Sequence, residues 1–207
     1  FGSFLVFAAI YSAWMMWRMP EPLPPEKRRT FSAGTLWFAA RVVLSFGSVR
    51  LSIAVQTLVF AVLFASLSSI QQIMGDSYGR AEQFPYWFGF IALIAGAASL
   101  MNAALVMRLG MRALVSIALN VQIFLCLLAL MVLRAELPEA LGFAFYIAWQ
   151  ASLFAMVSLT LGNLTSLAME PLGHVAGMAA SLISGLATVG SVVLAIPIGL
   201  AFDGSPT

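Results

Sequence analysis

Charged side chains are scarce in this chain: Asp, Glu, Lys and Arg make up 9% of its 207 residues, where a soluble domain carries about a quarter. Hydrophobic residues make up 62% and the mean hydropathy is +1.00. A single core cannot take in that much apolar surface, so the surplus faces lipid. Soluble globular, disordered and nucleic-acid-binding readings are excluded on this ground. Cysteine is equally sparse. Cys126 is the only one, which rules out an intramolecular disulfide, and its setting in the apolar run 121–133 makes it a small packing residue. Histidine occurs once, as His174, with no acid or thiol beside it at metal-ligand spacing. It sits at a helix start, after Pro171 and Gly173. An intramembrane serine protease would need a histidine within the membrane, so the expectation is no enzyme, no metal and no cofactor.

A signal peptide is missing too. The chain opens at Phe1, apolar from the first residue, with neither a basic leader nor a small-residue cleavage site. Residues 1–17 therefore read as the tail of a membrane helix, and 202–207 as an interrupted loop.

What the chain does have is long apolar runs. About 20 apolar residues cross the hydrocarbon core, and five full segments qualify: 51–74, 85–107, 112–133, 141–167 and 174–201. Continuous apolarity, in place of alternation over about ten residues, makes them helices and not barrel strands. The fold class is all-α, a polytopic transmembrane helical bundle. Its domains are the end of a helix at 1–17, a linker at 18–50 and a helical half at 51–207. Arg18, Lys27, Arg28, Arg29, Arg41, Arg50, Arg108 and Arg112 fall on one face, whereas only Arg80 and Arg134 fall on the other. Positive residues stay cytoplasmic, which puts the 18–50 linker inside the cell. In that linker the 20–25 stretch is proline-stiffened. Leu36, Trp37, Ala40, Val43 and Leu44 then recur at helical spacing, as in an amphipathic helix with Trp37 at headgroup depth; an ordinary extended loop is the alternative.

Small residues let membrane helices approach closely. Gly173, Gly177, Ser181 and Gly185 form one such stripe, and Ala92, Gly96, Ser99 and Ala103 another. Each is read as a tight packing face, either static or a sliding surface. No segment centre carries an ionisable residue, so any proton-carrying carboxylate lies elsewhere in the protein. Neutral polar groups are present instead: Gln56, Ser69 and Gln72 in the first full segment, and Tyr146, Trp149, Gln150, Met156 and Asn163 in the fourth. Such a set suits a cavity for small amphipathic molecules; helix–helix hydrogen bonding is the competing reading. Asn102 reads as a loop anchor.

Four stretches carry a resemblance. They are Met19-Pro20-Glu21-Pro22-Leu23 with Lys27-Arg28-Arg29, then Asn102-Ala103-Ala104-Leu105-Val106 with Arg108 to Arg112. Gly162-Asn163 running into Ala168-Met169-Glu170-Pro171-Leu172-Gly173-His174 is the third, and Gly199-Leu200-Ala201-Phe202-Asp203-Gly204 the fourth. In order, they resemble the C-terminal half of the major facilitator superfamily, in particular bacterial drug:proton antiporters of the bicyclomycin-resistance type. Pro22 replaces the usual Thr, and Ala104 stands where relatives often have Arg. The resemblance implies helices six (partial) to eleven, with helix twelve missing, of a multi-pass protein of the bacterial inner membrane that works by alternating access. Its partners would be the missing N-terminal half, membrane lipid, a small amphipathic substrate and protons. Glu170 would be a latch at the cytoplasmic gate, capping a helix end or pairing with a basic group, or else a plain loop charge; Asn102, Arg108, Arg112 and Asn163 are further gate or packing candidates. Uptake or sugar efflux within the superfamily, and a non-transporting membrane scaffold, are the alternatives.

Overall fold

Among the described residues every regular element is a helix, and five of them are long and apolar enough to cross a membrane. The computed structural model describes residues 2–19, 33–134 and 137–200, with the side chains at 33, 35, 36, 38, 39, 133, 173–176 and 178 excepted. The prolines at 20–25, the basic cluster at 27–29 and the closing segment 202–207 lie outside the described residues. The chain falls into two units, Phe1–Trp37 and Phe38–Thr207.

The first unit holds helix α1 (Gly2–Arg18), which buries none of its residues. At 1.5 Å per residue it measures about 26 Å, close to the thickness of the hydrocarbon core. The linker does contain a helix, α2 (Ala33–Ser45), and Trp37 on it is exposed. In the second unit the last turn of α2 sets Val43 against Val49, Ala168, Leu172, Ala179 and Ile183. Phe46 is extended between α2 and the next helix. Arg50 donates to the carbonyls of Leu44 and Ser45 at 3.0 and 3.3 Å, satisfying acceptors left open where α2 ends.

The remaining helices are α3 (Gly47–Gln72), α4 (Phe84–Leu109), α5 (Met111–Arg134), α6 (Glu139–Met169) and α7 (Ala176–Leu200). Helix α3 starts four residues before the expected 51, because Phe46 and not the Arg50 charge breaks the chain. It ends in a π-helical turn, Ile73–Ser77. Between α4 and α5 the chain reverses at Gly110, whose φ of +78° is a left-handed conformation that a Cβ would oppose. A 3-10 segment, Glu170–Val175, joins α6 to α7.

Successive helices alternate between an end marked by Arg80 and Glu139 and an end marked by Arg112 and Glu170. Helix α6 is the hub, packing extensively on α3, α4 and α5, while α7 packs mainly on α3. The two small-residue stripes do not make these contacts. On α7 the sealed row is Ala179, Ile183, Ala187 and Ser191, whereas Gly177, Ser181 and Gly185 are exposed. A two-residue offset is about 200° around a helix, so the glycine stripe faces away from α3. No atom would come within 4 Å of a Cβ at Gly177 or Gly185. The close approach falls at Gly190, where a Cβ would stand 2.9 Å from the Thr57 methyl. On α4, Ala92, Gly96, Ser99 and Ala103 are likewise exposed, and Ile91 and Ala98 turn inward. Smallness permits close packing on a face but does not select it when the opposite face is equally apolar.

Candidate functional site

Polar side chains in a membrane bundle have no water to fall back on, so their placement is informative. Seven are buried among the described residues: Ser52, Gln56, Gln122, Gln150, Thr160, Asn163 and Ser191. Gln150, Thr160 and Asn163 stand on α6, and polar links run from α6 to each helix packed extensively against it.

At the Arg80 end, the π-turn delivers Tyr78 and Arg80 onto the start of α6. Arg80 pairs with Glu139 at 3.7 Å, and its guanidinium lies 4.3 Å from the Phe143 ring centroid. Tyr78 donates to the Gly142 carbonyl at 3.5 Å and packs edge-on against Phe143. Burial pushes the Tyr78 hydroxyl above its ordinary range, so it stays a neutral donor. One turn deeper, Ser66 of α3 donates to Gln150 Oε1 at 2.7 Å, and Gln150 Nε2 donates to the Tyr146 oxygen at 2.9 Å. Gln150 is 2% exposed and Tyr146 fully buried. On the α5 side Ser152 donates to Gln122 Oε1 at 3.3 Å, and Gln122 Nε2 contacts the Cys126 sulfur at 3.7 Å.

Toward the Arg112 end, Asn163 donates to Asn102 Oδ1 of α4 at 2.7 Å and to the Leu159 carbonyl at 2.8 Å. Asn102 thus links α4 to α6. Thr165 donates to Gln56 Oε1 at 3.5 Å. Arg112 and Glu170 form an exposed ion pair at 3.4 Å, and Arg108 is exposed on the last turn of α4. Gly173 falls in the 3-10 segment, and its surroundings, like those of His174, lie outside the described residues.

Among the described residues two buried donors have no partner, Gln56 Nε2 and Trp149 Nε1. Each unsatisfied donor costs about 1–3 kcal/mol, which marks both places as poised for an added acceptor.

The expected cavity residues separate into two groups. Gln56, Tyr146, Gln150 and Met156 are buried between helices, with Trp149 half-buried beside them. Ser69 and Gln72 instead come together in an open groove of about 500 Å³ between α3 and α7 at the Arg80 end, with Phe64, Ser68, Val192, Ala195, Ile196, Gly199 and Leu200. Pro197 interrupts α7 next to this groove. The groove offers hydroxyls and an amide on an aliphatic wall, and no charge. Suited to it is a small amphipathic molecule with one or two hydrogen-bonding groups.

Ser66 and Ser68 were readable as polar residues of the first full segment, whereas Gln122, Thr165 and Pro197 were missed. Gln122 had a signal of its own, an amide inside an otherwise apolar run; the pairing of Ser66 with Gln150 and of Thr165 with Gln56 becomes visible only when α3 and α6 are set side by side.

No protein-family model, no curated protein and no solved structure matches this chain.

Proposed function

We propose that this chain is part of a secondary active transporter, a proton-coupled exporter of small amphipathic molecules that works by alternating access. The observation that carries the reading is a two-fold relation in the packing. Helix α3 pairs with α7 as α6 pairs with α4, and α3 and α6, which run in opposite directions, meet between them. Exchanging α3 with α6 and α4 with α7 reproduces the arrangement. Inverted repeats of this kind let one half-unit rock against another around a site near their interface. The resemblance to the C-terminal half of the major facilitator superfamily, carried by four sequence stretches, assigns α3 to α7 to helices seven to eleven. Under the exchange, the place of α5 on α6 corresponds to a place on α3 that a twelfth helix would fill.

In this mechanism Ser69 and Gln72 bind substrate in the groove beside Pro197, and the polar links of α6 hold the hub rigid as the ends open in turn. The Arg112–Glu170 pair is the latch at one end, and the Arg80–Glu139–Phe143 clamp closes the other. No acid stands at the centre of α3 to α7, and proton coupling is assigned to the N-terminal half that the resemblance implies. The test is dye efflux by the full-length protein in cells lacking their own pumps, with and without a protonophore. Efflux that stops when the gradient collapses, and that weakens in Gln72→Ala, supports the reading. Efflux absent in both conditions would move the function to uptake, a sugar permease or a scaffold.

A further inference from the structure

We infer that a second groove, at the Arg112 end between α3, α5 and α6, holds an acyl chain of an anionic phospholipid with its phosphate against Arg112. The groove has a volume of about 400 Å³ and is separate from the one that contains Gln72. Its polarity is graded along the helices. Ser48 and Arg112 stand at the mouth, Ser52 and Ser116 follow one turn deeper, and Val55, Leu119 and Leu164 close the interior. From Ser48 to Val55 the wall is about 10 Å deep, at 1.5 Å per residue.

Charge selects the occupant. Arg41, Arg50, Arg108 and Arg112 stand exposed at this end, and Glu170 is the acid described there. The Arg112 side chain is 79% exposed and meets Glu170 through a single 3.4 Å contact. Its guanidinium therefore has further N–H donors to direct at a phosphate. Basic pockets between membrane helices recognise anionic headgroups in this way. A free inorganic anion has no use for the aliphatic interior. Glu170 is then a competitor for Arg112, and lipid binding and the ion pair oppose each other.

The experiment uses the full-length protein in mild detergent, supplied with matched amounts of phosphatidylglycerol or phosphatidylcholine, and reads retained lipid by native mass spectrometry. Phosphatidylglycerol is expected to be retained about fivefold more than phosphatidylcholine, the effect of one arginine at an anionic surface. Arg112→Gln removes the preference, Arg112→Lys keeps it, and Glu170→Gln raises it by freeing the guanidinium. Leu119→Trp, which fills the interior, lowers retention of both lipids, provided the variant still elutes as one species; inorganic phosphate does not displace the lipid. Equal retention of the two lipids, a preference that survives Arg112→Gln, or a fall on Glu170→Gln would each overturn the inference. Retention of neither lipid, as when another helix of the full-length protein occupies the groove, overturns it equally.

Discussion

Helices α4 and α6 are both apolar enough to cross a membrane, yet they live in different surroundings. In the apolar stretch of α6, 44% of the residues are buried inside the bundle; in that of α4, 11% are. Helix α6 buries a mixed row of Phe143, Tyr146, Gln150, Met156, Thr160 and Asn163, while α4 buries only Ile91 and Ala98. In lipid the two faces of an apolar helix are equally well solvated. What separates a hub from a peripheral helix is therefore the satisfaction of polar groups and the fit of side chains, not hydrophobicity.

The sharpest way to break this comparison is to truncate an aromatic on each helix. Tyr146→Ala on α6 is expected to destabilise the protein by about 3–5 kcal/mol through the cavity left among Tyr78, Trp149 and Gln150. Tyr86→Ala on α4, where the ring is 81% exposed, is expected to stay within about 0.5 kcal/mol. Equilibrium unfolding in mixed detergent micelles measures both, and equal effects would remove α6 from its central place. Next in size is the α3–α7 contact. Gly190→Ala drives a methyl against Thr57 and is expected to lose about 1–3 kcal/mol. Thr57→Ser removes the opposing methyl, keeps a hydroxyl for the Ile53 carbonyl, and restores most of the loss. Gly185→Ala meets open space and is expected to be neutral in the same unfolding assay.

Smaller again is the Ser66–Gln150–Tyr146 chain. Gln150→Leu is expected to lose about 0.6–1.7 kcal/mol, the range for hydrogen bonds between membrane helices, and a double-mutant cycle with Ser66→Ala checks that the coupling is direct. The smallest effect belongs to the exposed Arg112–Glu170 pair. Glu170→Gln is expected to change stability by less than about 0.5 kcal/mol, with any difference from wild type vanishing at high salt.

Length and apolarity were enough to read all five long helices from the sequence, to within a few residues, because the hydrocarbon core dictates both. Which face α4 and α7 bury was not readable. The stripe of Gly177, Ser181 and Gly185 has the composition of a packing face, yet Ala179, Ile183 and Ala187 on the opposite side make the contact, and no polar residue on α7 distinguished the two before α3 was set beside it. The candidate site was half legible. Tyr146, Gln150 and Asn163 do share the inward side of α6, as their spacing indicated. Their partners Ser66 and Asn102 come from other helices, so only tertiary contact reveals that these side chains satisfy one another. Gln72 and Ser69 were legible as polar residues near a helix end, but the groove they line depends on Val192 and Ile196 across the α3–α7 contact.

Alternating access is tested most directly by the reactivity of single cysteines, in a Cys126→Ser background, at two positions on α3: Gln72→Cys at the open groove and Gln56→Cys in the buried seam. Labelling rates with a small water-soluble maleimide would be measured in the full-length protein with and without a transported dye. The account predicts reciprocal change, with Gln56→Cys becoming reactive under the condition in which Gln72→Cys becomes protected. Rates that stay constant at both positions, or that rise and fall together, would contradict it.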